Sequence, residues 1–204
     1  MSSTRDENQA ARVTRTGVAA RACRVKGLIL DRDGTLIAHV PYLADPAQVA
    51  LLPGVHDGLR VALDAGLALF LHSNQSGVGR GYYPLAAVEA CNRRMIELLN
   101  LGEQPFARIC IAPEAPDQPS RYRKPSPAFL REILAEHGWR ADELCCIGDR
   151  ALDLQVAAHT GARAIGVATG LENLQAEMTA AGLQGVFPVF DRFDAAIQHV
   201  LSLT

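Results

Sequence analysis

Short, nearly unbroken apolar runs recur along this chain, each followed by a polar turn and then by apolar residues at helical spacing. The runs at 25–30, 67–71, 106–112, 144–147 and 162–168 are too short for helices and rich in branched side chains, so they read as strands buried on both faces. Helices are predicted between them. Pro53-Gly54 opens one that Gly66 stops, and Pro84 opens another carrying Val88, Cys91, Met95, Leu98 and Leu99. Ser126 as N-cap with Pro127 at the first helical position starts a third, which ends near Gly138. Further helices are expected at 152–160, 172–181 and 191–201. A β-α repeat of this kind predicts an α/β fold of three layers: a doubly wound, mostly parallel, Rossmann-like sheet with helices on both faces. No gap in the pattern leaves room for a cap domain or an internal repeat.

Composition narrows the class without naming a chemistry. The chain has 204 residues, enough for one domain, here taken as 25–204. A net charge of −2 argues against a general nucleic-acid partner, and no apolar run approaches the roughly 20 residues of a membrane span. Cys23, Cys91, Cys110, Cys145 and Cys146 form an odd set without C-x-x-C spacing, which fits a reduced, cytoplasmic setting. Residues 1–24 are polar and arginine-bearing with no apolar stretch, so a disordered tail is expected there rather than a secretory signal. A monomer or weak oligomer is the expectation.

The chemistry begins at Asp31-Arg32-Asp33-Gly34-Thr35-Leu36, directly after the first apolar run. Two carboxylates at the carboxyl end of a strand lie where open α/β sheets place their ligands. Holding them side by side is costly unless a cation or protons compensate. The other candidates also follow predicted strands: Ser73 and Asn74 after the second, Lys124 after the third, Asp149 and Asp153 after the fourth. In a doubly wound sheet these ends converge on one crevice. Hard carboxylate oxygens suit Mg²⁺. Asp31, straight off the strand, is the candidate nucleophile, because carboxylates form aspartyl-phosphate intermediates. Asp33 is placed to act as general acid and then base. Lys124, Arg123, Ser73 and Asn74 are candidates for binding a phosphoryl group.

These residues resemble the haloacid dehalogenase-like (HAD) phosphatase superfamily. Its D-x-D-G-T, Ser/Thr, Lys and G-D-x-x-x-D motifs stand here as Asp31 to Thr35, Ser73, Lys124 and Gly148 to Asp153. The resemblance spans about residues 25–170. It implies Asp31 as nucleophile and Asp33 as acid/base. It also implies Mg²⁺ held by Asp31, the Asp33 carbonyl and Asp149, with Asp153 in support. Asn74-Gln75-Ser76-Gly77 and Arg123-Lys124-Pro125 are similar to the capless branch, which holds heptose 1,7-bisphosphate phosphatases and histidinol-phosphate phosphatases. A small phosphorylated metabolite, best a sugar phosphate, is therefore the implied partner. Asn-Gln-Ser-Gly leans toward the heptose enzymes and Gly148-Asp149-Arg150 toward the histidinol-phosphate side. A non-catalytic binding protein on the same fold is a further reading. Zinc is not expected, since the positions matching the branch's zinc loop are Ala112, Glu114, Ser120 and Tyr122, none a thiolate or imidazole.

Other residues are weighed more plainly. His39 and Tyr42 in the first loop are placed equally well in solvent or against substrate, and His72 is expected in the core. Arg80 is left open between solvent and site. Gly77, Gly79 and Gly81 do not follow the first strand with G-x-G-x-x-G spacing, so a dinucleotide fingerprint is absent.

Overall fold

The structure, a computed structural model, describes residues 25–170 and 173–203. The expected tail and Cys23 lie outside them. Among the described residues six strands form one sheet: β1 Gly27–Leu30, β2 Ala68–Asn74, β3 Arg108–Ala112, β4 Leu144–Gly148, β5 Arg163–Val167 and β6 Val189–Phe190, in the order β3-β2-β1-β4-β5-β6. Every neighbouring pair is parallel. The order reverses at β1, between β2 and β4, which is the topological switch point where such sheets bind ligands.

Among the described residues seven helices flank the sheet: α1 Val55–Asp64, α2 Ser76–Gly79, α3 Leu85–Leu99, α4 Ala128–His137, α5 Ala151–Ala158, α6 Leu174–Ala180 and α7 Phe193–Ser202. The period-2 geometry of a strand sorts the core into two layers. Leu28 and Leu30 of β1 and Leu69 and Leu71 of β2 pack with Leu59 of α1, Met95 of α3 and Ile197 of α7. Ile29, Phe70 and Cys146 point the other way, onto Phe129 and Ile133 of α4, Val156 of α5 and Met178 of α6. Both faces of β1 are thus apolar, which is why its sequence reads as a continuous run rather than an alternation.

Several boundaries differ from the sequence reading for identifiable reasons. β2 runs on through His72, Ser73 and Asn74, because β3 pairs with it as far as Asn74↔Ala112. Gly77 and Gly79 sit in the single turn of α2, Ser76–Gly79, directly behind β2. Pro127 rather than Ser126 caps α4, while the Ser126 hydroxyl accepts from the Ala128 amide at 3.3 Å. β6 has only two residues behind Pro188, too few to leave a pattern. Between β1 and α1 there is one 3-10 turn, Pro46–Gln48, and no inserted domain. Among the described residues no helix is long and apolar enough to cross a membrane.

Candidate active site

The ladder hands the first acid directly to the switch point. The Asp31 amide donates to the Ile147 carbonyl at 3.0 Å, so Asp31 extends β1 by one position and its side chain emerges between β1 and β4. The chain then turns sharply, with the amides of Leu36 and Ile37 both donating to the Arg32 carbonyl. Gly34 makes the turn possible with φ of 83°, and a Cβ there would collide with the Asp149 carboxylate. Thr169 Oγ1 donates to the Gly34 carbonyl at 2.6 Å and fastens the turn to the end of β5.

Asp31, Lys124, Asp149 and Asp153 meet at the base of a cavity of about 380 Å³. Lys124 is 6% exposed, and its Nζ donates at 2.5 Å to both Asp31 Oδ1 and Asp153 Oδ1. Asp153 Oδ2 also accepts from the Arg150 amide at 3.1 Å, closing the first turn of α5. Asp149 Oδ1 accepts from Thr35 Oγ1 at 3.3 Å. Side-chain oxygens of Asp31, Asp149 and Asp153 all lie within 4.8 Å of one another.

Three buried carboxylates against one ammonium leave excess negative charge. Burial is the main cause lifting the Asp31 carboxyl to about 7; Asp153 and Asp33 add to it and Lys124 works against it. Burial, with Asp31 and Asp153, lifts Asp149 to about 8. Burial opposes the Lys124 ammonium as well, but Asp153 and Asp31 outweigh it and hold its pKa above the usual lysine value. A small divalent cation fits this arrangement: hard oxygen donors, close together, carrying uncompensated charge.

A stability prediction follows from linkage. Carboxyls with folded pKa values raised from 3.8 to about 7 and about 8 favour the protonated folded state. Their contribution is complete below about pH 4 and is lost as pH rises through 7 to 8. In EDTA, the melting temperature should therefore fall between pH 5 and pH 8, and added Mg²⁺ should restore more of it at pH 8. Differential scanning fluorimetry at the two pH values, with and without Mg²⁺, checks this.

The remaining candidates fall into different places. Ser73 is 1% exposed, does not line the cavity, and accepts from Gln75 Nε2 at 2.7 Å. Asn74, expected to bind phosphate, lines the cavity. Its Oδ1 accepts from the Lys124 amide at 2.9 Å and its Nδ2 donates to the Lys124 carbonyl at 3.2 Å, so it clamps the lysine backbone from β2. The Asp33 carboxylate is turned toward Arg32 and Gln75 and stands apart from the three clustered acids. Arg123 lines the cavity and donates from Nη1 to the Glu114 carbonyl at 3.2 Å; burial and nearby Arg80 pull its guanidinium below the usual value. His39 and Tyr42 also line it, whereas Arg80 does not.

His72 is buried, as expected. Its Nε2 donates to the Tyr122 carbonyl at 2.8 Å, and burial, reinforced by Lys124, lowers its pKa to about 3. Two of the positions matching the zinc loop bond to each other here, Ser120 Oγ donating to Glu114 Oε2 at 2.7 Å. Sequence reasoning missed Arg32, Gln75 and Asn92. A fully buried arginine has no local signature, and its partner Asn92 lies sixty positions away on α3.

A parallel sheet with acids and a lysine gathered at its switch point defines a HAD-type hydrolase site. Comparison with known proteins agrees. The HAD-hydrolase-like family model matches residues 121–196. The chain is 34% identical over 147 residues to the D-glycero-beta-D-manno-heptose-1,7-bisphosphate 7-phosphatase of Pseudomonas putida, covering 72% of this chain and 84% of that one. It is 32% identical to the Pseudomonas aeruginosa enzyme of the same name, covering 70% and 81%. The crystal structure of D,D-heptose 1,7-bisphosphate phosphatase from B. bronchiseptica, complexed with magnesium and phosphate, superposes with a TM-score of 0.79 at 28% identity, covering 88% of this chain and all of that one. The chain belongs to the HAD-like phosphatase family and is a phosphoric monoester hydrolase.

Proposed function

We propose that this protein is a Mg²⁺-dependent phosphatase of a small sugar phosphate, and that its substrate is D-glycero-D-manno-heptose 1,7-bisphosphate, cleaved at the 7-phosphate. The observation that carries the chemistry is the Lys124 ammonium bridging Asp31 and Asp153 beside Asp149 at the base of an open cavity. The substrate is supported by the names of the relatives matched over most of the chain.

In this reading Asp31 attacks phosphorus, forming an acyl-phosphate bond as the ester P–O bond breaks. Asp33 gives its proton to the departing alkoxide, then takes a proton from the water that attacks the acyl-phosphate. Inorganic phosphate leaves and the Asp31 carboxylate is restored. Lys124 holds Asp31 in line and places positive charge beside the transferring group. Asn74 keeps that lysine at its station by holding both its amide and its carbonyl. Asp31 and Asp149, with Asp153 alongside, would hold Mg²⁺, which when bound would supply further positive charge against the transferring phosphoryl oxygens. Arg123 at the cavity wall is a cation for the distal part of a bisphosphate.

A phosphate-release panel tests the assignment. With Mg²⁺ present, kcat/KM for the heptose bisphosphate should exceed that for histidinol phosphate and glycerol phosphate by at least about tenfold. A preference for histidinol phosphate would transfer the assignment to that class of substrate. Absence of hydrolysis of every ester, including generic aryl phosphates, would leave a binding protein on this fold.

A further inference from the structure

Among the described residues, the largest fully buried side chain belongs to a residue with no role in the reaction as described above. Arg32 lies between the two acids of the first motif and is 0% exposed. A buried guanidinium is destabilising unless its donors are matched. Its Nε donates to Asp33 Oδ2 at 3.0 Å, Nη2 donates to Asp33 Oδ1 at 3.1 Å while also lying 2.9 Å from Oδ2, and Nη1 donates to Asn92 Oδ1 at 2.9 Å. Gln75 Nε2 adds a third donor to Asp33, reaching Oδ2 at 2.8 Å.

These bonds are unequal across the carboxylate. Oδ2 receives Arg32 Nε and Gln75, with Arg32 Nη2 also 2.9 Å away, whereas among the described residues Oδ1 receives only Arg32 Nη2 and keeps one direction open. Asp33 and Arg32 both line the cavity, but 20% of the Asp33 side chain is exposed and none of the Arg32 side chain is. With no exposed surface, the Arg32 guanidinium is committed to Asp33, the group that would exchange protons with a substrate, and to Asn92. A two-pronged fork also fixes the plane of a carboxylate, which a single bond does not.

The geometry points to Arg32 as a positioning residue for proton transfer, holding Asp33 with Oδ1 as the oxygen offered to the ester and being anchored in turn by Asn92 on α3. The inference rests on the proposed role of Asp33 as acid and base. It separates Arg32 from a purely structural part, because loosening the fork should harm only reactions that need a proton.

The leaving group provides the test. An alkyl phosphate needs its alkoxide protonated, whereas 2,4-dinitrophenolate leaves unprotonated. The parameter kcat/KM covers events only through departure of the alcohol, so the later hydrolysis of the acyl-phosphate does not enter. For Arg32→Gln, kcat/KM on a sugar or glycerol phosphate should fall by about 10²-fold, and on 2,4-dinitrophenyl phosphate by no more than about threefold. Asn92→Ala, away from the cavity, should shift the same ratio in the same direction by about tenfold. In an Asp33→Asn background, Arg32→Gln should produce no further selective loss, because both changes remove one function.

Equal losses on both esters, or additive losses in the double variant, would overturn the positioning role and leave the phosphatase reading intact. If Arg32→Gln does not fold, Asn92→Ala decides alone, and an unchanged ratio there would reject the inference. A wild-type protein inert toward both esters would remove the phosphatase reading and this inference with it.

Discussion

Replacing Asp31 by Asn should abolish turnover, by at least about 10⁴-fold in kcat, while the protein stays folded. The size of the loss comes from removing the atom to which phosphorus is to be bound, for which no nearby group substitutes. The stability expectation comes from the burial of the site. Asp31 is raised to about 7 chiefly by desolvation, so a neutral amide of the same shape is easier to bury. Its Oδ1 can still accept from Lys124, whose second carboxylate, Asp153, remains. The melting temperature should therefore be unchanged or slightly higher, and the acyl-phosphate trapped by acid quench from wild type should be missing. Activity within tenfold of wild type would contradict the assignment of Asp31.

Lys124→Met should damage stability and catalysis together. The lysine is the cation set between Asp31 and Asp153, both buried. Removing one partner of a buried ion pair costs about 3–5 kcal/mol, because the remaining charge has no compensation. In a domain of this size that is a fall of about 6–20 °C in melting temperature. Loss of a fixed positive charge beside the transferring phosphoryl group should lower kcat by about 10²–10³-fold or more. Millimolar Mg²⁺ should return part of the melting temperature and little of the rate, since a cation among the acids relieves their repulsion without replacing the ammonium. Thermal melts and initial rates with and without Mg²⁺ distinguish this from simple unfolding. An unaltered melting temperature would show that Lys124 does not compensate the acids.

The sequence made the frame and most of the acidic cluster legible, for a physical reason. Strands buried on both faces leave continuous apolar runs, so the acids that end them, Asp31 after Leu30 and Asp149 after Gly148, stand out as interruptions. Lys124 also follows a strand, β3, but only after twelve positions, so the strand end alone does not carry it to the site. What remained hidden depends on distant partners. Asn74 reads as a polar group near a site, and only the fold shows both ends of its amide spent on Lys124. Arg32 reads as a surface residue by type, because arginine is seldom fully buried. Its enclosure is decided by Asn92 on α3 and by Gln75 beyond β2, neither of which marks itself locally.

The strand order has a consequence for how the molecule comes into being. β1 is emitted early, yet one of its two lateral neighbours, β4, starts at Leu144, more than a hundred positions later. A growing polypeptide that has delivered Asp31 and Lys124 but not yet Leu144 has an open flank where the sheet's middle belongs. Such far-apart pairing closes slowly relative to local helices. The crevice consequently comes together among the last events of maturation, and a ribosome-bound fragment stopping short of β4 should be catalytically silent.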